Sequence, residues 1–153
     1  MEPIVTNPRA RRDYHILDTF EAGIVLRGTE VKAVREKRVS LREAYAEVRK
    51  GEVWLRNARI EEYRPGGWLN HPPDADRKLL LHRHEIHRLQ GQLAAKGHTL
   101  VPLALYWKNG RIKVELAVAR GKSEVDRRED IKRRELDREM RRAMSRQERR
   151  PRT

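Results

Sequence analysis

The feature that most constrains the fold is a pair of apolar runs joined by a two-residue turn signal. Leu100–Trp107 and Arg111–Ala119 flank Asn109 and Gly110, and the second run has apolar residues at 112, 114, 116 and 118. An Asn-Gly pair favours the positive φ angles of a tight hairpin turn, and strict alternation is typical of a strand with one buried face. The segment therefore predicts a long antiparallel β-hairpin.

Further strands are indicated on the N-terminal side of this hairpin. Tyr14–Leu26 is rich in β-branched, aromatic and apolar residues, with Gly23 as the point where a long strand would bend. Residues 40–55 are ambiguous, because Ser40 and Glu43 match a helical capping box while apolar residues alternate as in a hairpin. We expect one helical turn followed by a hairpin, and then a strand over residues 59–63.

Two short helices and one long loop complete the pattern. Apolar residues three apart in Glu30–Lys37 predict a helix with Thr29 as its N-cap. Apolar residues also follow helical spacing in His84–Lys96, and Gly97 supplies the C-terminal stop. Pro, Gly and Asn crowd residues 65–73, so this segment predicts a surface loop.

Several short strands with few helices predict a mainly β fold. The expected fold is an oligonucleotide-binding (OB-like) barrel with two or three short helices and a basic C-terminal tail. A chain of 153 residues suffices for one such body with an extension, and is too short for two ordinary domains. We expect a basic, mobile N-terminal arm over residues 1–12, the barrel over 13–119 and the tail over 120–153.

A change in composition at Arg120 marks the tail. Residues 120–153 contain 14 Lys and Arg against 8 Asp and Glu, a net charge of +6 out of +13 for the chain. Acid-to-base pairs four residues apart favour helix, but large apolar residues are sparse. We therefore expect the tail to be disordered when free and helical when bound. The alternative is a solvated charged helix that only aids solubility.

The charge balance restricts the class of partner. Lys and Arg number 36 against 23 Asp and Glu, an excess that favours a polyanion such as nucleic acid. Membrane binding is disfavoured, because the basic segments have few large apolar residues and no apolar run is long enough to span a bilayer. There is no Cys, which excludes thiolate zinc sites and Cys nucleophiles and fits a reducing, cytoplasmic location.

Catalytic constellations are weak in this sequence. His82, His84 and His87 stand together, but without the spacing of a zinc hydrolase, so surface or RNA-contacting histidines are the simpler interpretation. Acidic pairs at 61–62 and at 74 and 76 match a nuclease only loosely, since such pairs are mostly surface residues. The aromatic residues fit a core better than a base-stacking surface. We expect no enzymatic activity, no metal and no cofactor.

Short motifs run through the chain in a fixed order. They are Asn7 with a basic cluster after it, Phe20-Glu21-Ala22-Gly23, Gly28-Thr29-Glu30-Val31-Lys32, Asn70-His71, Arg77-Lys78-Leu79-Leu80-Leu81-His82, and Gly121-Lys122 with Asp126-Arg127-Arg128. In this order the sequence resembles the small protein B family, the tmRNA-binding proteins of bacterial trans-translation. The resemblance extends from Asn7 to about Met144.

The resemblance implies a fold and a function. The barrel is expected to bind the tRNA-like domain of tmRNA (SsrA RNA) and to deliver it, with elongation factor Tu, to stalled ribosomes. The tail is expected to become helical in the empty mRNA channel and to contact the ribosomal RNA of the decoding centre. The protein is expected to act as a monomer and to catalyse no reaction.

The candidate site residues fall into two sets. The expected RNA-binding residues of the body are Asn7, Arg9, Arg11, Arg12, Glu21, Lys32, Arg35, Arg77, Lys78, Leu80 and His82. The expected ribosome-binding residues of the tail are Lys122, Asp126, Arg127, Arg128, Lys132 and Arg133, with Asp126 as a helix cap. A carboxylate cannot pair with phosphate, so Glu21 either accepts hydrogen bonds from base or sugar, orients a nearby Arg, or completes a structural ion pair.

Some positions depart from the family pattern, and two other functions stay open. Ser123 and Val125 replace a Lys and a His that many members carry, and Ala75 replaces a frequent Arg. The last residues, 149–153, lack the bulky apolar residue often found near the family's C-terminus. The other functions are a general RNA chaperone or ribosomal component that binds by charge alone, and a metal-dependent nuclease that uses the histidine cluster.

Overall fold

The computed structural model describes residues 3–149. The chain forms two compact units, one that ends at Gly121 and one that begins at Lys122. The elements of the first unit are β1 (Pro3–Thr6), α1 (Pro8–Asp13), β2 (Tyr14–Ile24), α2 (Gly28–Arg35), β3 (Val39–Ser40), β4 (Tyr45–Arg49), β5 (Glu52–Arg56), β6 (Arg59–Ile60), a 3₁₀ helix (Arg64–Leu69), β7 (Arg77–Leu80), α3 (Arg83–Leu93), β8 (His98–Lys108) and β9 (Arg111–Gly121). The second unit contains one long helix, α4 (Glu124–Arg149).

Six antiparallel strands close into a ring. Their order is β8–β4–β5–β7–β2–β9, and the ring closes because β9 also pairs with β8. Strand β1 is added to β8 outside the ring, and β3 and β6 form a separate two-stranded ribbon. Closure pairs both edges of the sheet and encloses the apolar core. The predicted mainly β, OB-like fold is confirmed.

The predicted C-terminal hairpin is confirmed as β8 and β9. The two strands pair from His98 with Arg120 to Lys108 with Arg111. At the turn, Asn109 has a φ of 52° and Gly110 a φ of 74°, the left-handed values that a two-residue hairpin turn requires. Residues 100–106 of β8 are all buried, because the barrel core covers one face and a small cluster around Ala10 of α1 covers the other.

The segment expected to form a mobile arm is instead attached to the barrel over its described residues. Strand β1 pairs with β8, and the Asn7 backbone N–H donates to the Leu103 carbonyl at 2.8 Å. Helix α1 follows directly and buries Ala10. A four-residue strand is too short to show a periodic pattern, so composition alone could not reveal it.

Several predicted local elements differ from the structure. Helix α2 begins at Gly28 with Arg27 as its N-cap, so the expected capping role of Thr29 is wrong. The expected helical turn after Ser40 is a single turn closed by the Ala44 N–H on the Leu41 carbonyl. The hairpin after it is confirmed as β4 and β5. The strand expected over residues 59–63 is only two residues long, and the loop after it contains the 3₁₀ helix.

A buried ion pair fixes α2 to the loop that precedes β7. Glu30 accepts the Arg27 backbone N–H at 2.8 Å with one oxygen and the Arg77 guanidinium at 2.6 Å with the other. The two side chains are 5% and 2% exposed. The other guanidinium nitrogens donate to backbone carbonyls at 2.5 to 3.2 Å, those of Ala58, Pro72 and Pro73. Every nitrogen of the guanidinium is therefore hydrogen-bonded inside the protein.

Asn70 and His71 close the same loop. The Asn70 side chain accepts the Tyr63 backbone N–H at 3.0 Å and donates to the Tyr63 carbonyl at 2.6 Å. The buried His71 ring lies 2.9 Å from the Ile60 carbonyl through Nε2 and 2.8 Å from the Thr29 hydroxyl through Nδ1. A carbonyl only accepts, so Nε2 donates to the Ile60 carbonyl. Thr29 thus anchors the loop instead of capping a helix.

Within residues 3–149, no helix has the length and apolar character needed to cross a membrane.

Candidate RNA-binding surface

The outer sides of β2, β8 and β9 form one face of the barrel. Glu21 pairs with Glu115, and Gly23 pairs with Lys113, which in turn pairs with Tyr106 of β8. Residues directly opposite each other on antiparallel strands project from the same side of the sheet. Leu80 joins this side, because β7 pairs with β2 at Gly23. We call this surface the barrel face and define it by Glu21, Leu80, Tyr106, Lys108, Arg111 and Lys113.

Glu21 lies at the centre of the barrel face and has two donors. The Tyr106 hydroxyl donates to it at 2.6 Å, and the Lys108 ammonium lies 3.1 Å from both carboxylate oxygens. The hydrogen bond from Tyr106 has the largest effect and that from Lys108 the next largest, and together they lower the pKa of Glu21 although partial desolvation acts to raise it. Burial and the adjacent carboxylate raise the pKa of Tyr106. Glu21 therefore completes an ion pair within the protein, one of the three roles expected for it.

The replacement Tyr106→Phe is expected to raise the pKa of Glu21 toward the ordinary carboxyl value, because it removes the first of the two donors. Since the folded pKa is lowered, the stability that Glu21 contributes is present above its unfolded pKa and is lost as the pH falls through the folded pKa. A carboxyl-carbon NMR titration measures the shift. The matched control is Tyr63→Phe, and an unchanged Glu21 titration in Tyr106→Phe would contradict this assignment.

A cleft of about 660 Å³ opens between the barrel face and α1. Its walls include the apolar surfaces of Pro3, Pro8 and Leu103 and the carboxylates of Glu21 and Glu115. The Arg11 guanidinium approaches Glu115 at 4.0 Å, and its side chain is 66% exposed. Of the predicted basic cluster Arg9, Arg11 and Arg12, Arg11 therefore lines this cleft.

A second cleft of about 280 Å³ is lined by Gly23 of β2 and by residues of β7, β8 and β9. Leu80, Trp107, Arg111 and Lys113 are among the residues that line it. A Cβ atom at position 23 would lie 3.3 Å from the Leu80 Cβ, tighter than most contacts of this kind, so glycine lets Leu80 pack close to β2. Half of the Leu80 side chain is nevertheless exposed. This cleft combines an apolar floor with two basic side chains.

Helix α2 carries two cations that lie over aromatic rings. The Arg35 guanidinium lies over the Trp107 ring at 5.5 Å, and the Lys32 ammonium lies over the Tyr63 ring at 5.3 Å. The two residues are three apart, so they lie on the same side of the helix. Both remain exposed, and their expected phosphate contacts stay a prediction.

Two body residues of the predicted set are buried in the structure, and their contact with RNA stays a prediction. Arg77 is 2% exposed and holds Glu30, as described above. Asn7 is 6% exposed, and its side-chain amide donates to the Pro102 carbonyl at 3.0 Å, which fixes β1 to β8. Their positions in ordered motifs reflect structural roles.

The remaining predicted body residues are at the surface. Lys78 is on the same side of β7 as Leu80 and forms an ion pair with Glu52 at 3.4 Å. His82 caps α3, and its ring stacks on that of His84 with centroids 5.5 Å apart. Arg9 contacts Asp13 and Glu43, and Arg12 contacts Asp13. Among residues 3–149, no three potential ligands come together as a metal site.

The tail residues lie at the start of α4 and along it. Ser123 and Asp126 form a reciprocal capping box, because the Asp126 N–H donates to Ser123 Oγ at 3.2 Å and the Ser123 N–H donates to Asp126 Oδ2 at 3.3 Å. The N-cap of α4 is therefore Ser123, and not Asp126 as the sequence predicted. Lys122 forms an ion pair with Asp130. The exposed cations of the helix include Arg128, Lys132 and Arg133, and Arg127 lies in its first turn.

The sequence did not identify most of the barrel face. Tyr106, Lys108, Arg111 and Lys113 were absent from the predicted set, although the alternation in the hairpin already separates residues 111, 113 and 115 from the apolar ones. That pattern predicts which side chains point away from the core. It does not reveal that β9 pairs with β2, the contact that brings these side chains to Glu21.

The chain is similar to proteins of known family over most of its length. A family model described as SmpB protein matches residues 4–146. A protein of Thermobifida fusca named SsrA-binding protein is 57% identical over 143 residues, which cover 94% of this chain and 89% of the relative. One of the same name from Frankia casuarinae is 55% identical, with 94% and 90% covered. A solved structure described as "tmRNA-SmpB: a journey to the center of the bacterial ribosome" matches with a TM-score of 0.67 and 45% identity, covering 85% of this chain and 95% of that one.

Proposed function

Because this chain belongs to the SmpB family, we propose that it binds SsrA RNA, or tmRNA, and delivers it to stalled ribosomes for trans-translation. The observation that carries the proposal is the family match over residues 4–146. The barrel face supplies a surface with the chemistry that RNA binding needs. Arg111 and Lys113 of this face line the second cleft, and Arg11 of α1 lines the first.

The barrel face is suited to RNA recognition by shape and phosphate contacts. Lys108, Arg111 and Lys113 would contact phosphates, and Trp107 with Leu80 would pack against sugar or base surfaces. Glu21 would accept a hydrogen bond from an RNA donor in place of Lys108, which would free that ammonium for a phosphate. Lys32, Arg35, Lys78, His82 and Arg11 would extend the contact around this surface.

The two units would have different tasks. We propose that the barrel, with α1 and β1, binds the tRNA-like part of the RNA, and that the tail from residue 120 contacts ribosomal RNA in the empty mRNA channel. The tail would be disordered when free and helical when bound, as its sparse apolar residues suggest. The delivery complex would include elongation factor Tu, with one copy of this chain, in the cytoplasm and without catalysis.

Replacing both Arg111 and Lys113 by glutamine is expected to weaken the binding of SsrA RNA and to reduce the dependence of this binding on salt. Each cation that neutralises a phosphate contributes about one unit to the slope of log affinity against log salt concentration, so the slope should fall by about two. Filter binding at several salt concentrations measures the change. Lys96→Gln, an exposed lysine after α3, is the matched control. Equal slopes for all three proteins would refute the assignment of the barrel face.

Competition separates specific SsrA RNA binding from binding by charge alone. The full chain is expected to retain SsrA RNA in the presence of an equal concentration of unrelated tRNA at moderate salt, because nonspecific binding weakens steeply with salt. Displacement by the tRNA would instead favour a general RNA chaperone. Cleavage of the RNA with added divalent metal, stopped by a chelator, would favour the nuclease.

A further inference from the structure

The loop between β6 and β7 presents a tryptophan to solvent. Trp68 is 91% exposed, more than any other large apolar side chain whose burial the structure describes, and its neighbour Leu69 is 64% exposed. Singly exposed leucines are common on protein surfaces, but an indole left almost wholly in water contributes nothing to the core. The fold therefore gives no structural reason for a tryptophan at this position.

The loop that carries Trp68 is held at both ends. The Asn70 side chain bonds to both backbone groups of Tyr63, which brings the two ends of the segment 63–70 together. His71 and Arg77 then tie the following residues to the barrel and to α2. Gly67 turns the chain just before Trp68 with a φ of 54°. An aromatic side chain on a constrained loop loses less conformational entropy on binding than one on a mobile segment.

Helix α2 connects this loop to the barrel face. Arg35 lies over Trp107, which lines the second cleft, and Lys32 lies over Tyr63, which immediately precedes the 3₁₀ helix. Because the two cations are on one side of α2 and one helical turn apart, cations and aromatic rings alternate from the cleft to the loop. The barrel face thus continues toward the loop that bears Trp68.

Two exposed cations lie beside the aromatic rings of this region. Arg64 is exposed within the 3₁₀ helix, and Lys32 is exposed beside Tyr63. The acidic residues lie toward the two ends of the loop, where Glu61 is engaged with Arg38 at 2.8 Å, Asp74 with Arg59 at 3.2 Å and Asp76 with Arg49 at 3.5 Å, and Glu62 follows Glu61. Exposed aromatic rings interspersed with cations are the pattern by which proteins bind unpaired nucleotides, since rings stack on bases and cations contact phosphates. A purely apolar protein pocket would leave these cations without partners.

We propose that Trp68 stacks on an unpaired base of the bound RNA and that Arg64 contacts a neighbouring phosphate. This inference rests on the proposed function, because it extends the RNA contact of the barrel face to the loop between β6 and β7. The ligand at this site is a single nucleobase in a loop or bulge. Stacking accepts any base, so the site strengthens binding without reading sequence.

Affinity measurements on the full chain test this proposal. Trp68→Ala is expected to weaken SsrA RNA binding about 5- to 150-fold, the effect of losing one stacked base. Trp68→Phe should stay within about threefold of the wild type, because it keeps an aromatic face. The salt slope should not change in either variant, whereas Arg64→Gln should lower it by about one unit. RNA should also quench a part of the tryptophan emission that Trp68→Phe lacks.

Two controls make the result decisive. Leu69→Ala should bind like the wild type, and all Trp68 variants should melt at the wild-type temperature, since the side chain is exposed. Wild-type affinity in Trp68→Ala overturns the proposal. Full rescue by Trp68→Leu overturns it as well, since an apolar contact without stacking would then suffice.

The proposed function can fail separately. A wild-type chain that binds unrelated tRNA as tightly as SsrA RNA contradicts SsrA RNA specificity, yet the comparison of Trp68→Ala with Trp68→Phe on that RNA still decides the stacking. Absence of binding to any RNA contradicts both.

Discussion

Replacing Arg77 with methionine is expected to lower the free energy of unfolding by about 3–5 kcal/mol. The change leaves the Glu30 carboxylate, 5% exposed, without its partner in the protein interior. It also removes the donors to three backbone carbonyls that hold the loop before β7. Urea denaturation followed by circular dichroism measures the loss.

Two further variants isolate the cause of this loss. Lys78→Met, one residue along β7 with a half-exposed side chain, should change stability by less than about 1 kcal/mol. The double replacement Glu30→Leu with Arg77→Met should recover part of the loss, because no unpaired charge then remains buried. Equal destabilisation by Arg77→Met and Lys78→Met would show that the buried pair has no special role.

Truncation after Gly121 is expected to abolish tagging of incomplete peptides while SsrA RNA affinity stays within about threefold. The barrel ends at Gly121 and forms a compact unit of its own, so removal of α4 leaves its described contacts in place. The proposed RNA contacts lie on that unit, whereas the proposed ribosomal contacts lie on α4. A tagging assay on stalled ribosomes, run beside a binding assay with SsrA RNA, measures both outcomes.

A full-length variant provides the matched comparison for the truncation. Charge reversal at Lys132 and Arg133, two exposed cations of α4, keeps a helix-forming sequence but should weaken ribosome binding, because the carboxylates introduced there would repel phosphate. SsrA RNA binding should be nearly unchanged in that variant. If the truncated chain still supported tagging, the assignment of the tail to the ribosome would be wrong.

Most of the residues predicted to bind RNA lie at the surface, but two are buried, and the difference has a physical reason. Glu21, Lys32, Arg35, Lys78, Leu80 and His82 were all named from the sequence and lie at the surface, where they can meet RNA. Asn7 and Arg77 were named from the same motifs, but long-range hydrogen bonds bury them. A motif records that a residue type is needed at a position, and does not say whether the need is for a ligand or for the fold.

The local sequence pattern determined the hairpin of β8 and β9 and the positive φ angles at Asn109 and Gly110. These features depend on neighbours a few residues away, whose periodicity and turn chemistry can be read directly. Only the tertiary structure decided that β9 pairs with β2 and that Glu30 meets Arg77 across 47 positions of the chain. Both contacts join elements that are distant in sequence, and the burial and the partners of a charged side chain depend on such long-range contacts.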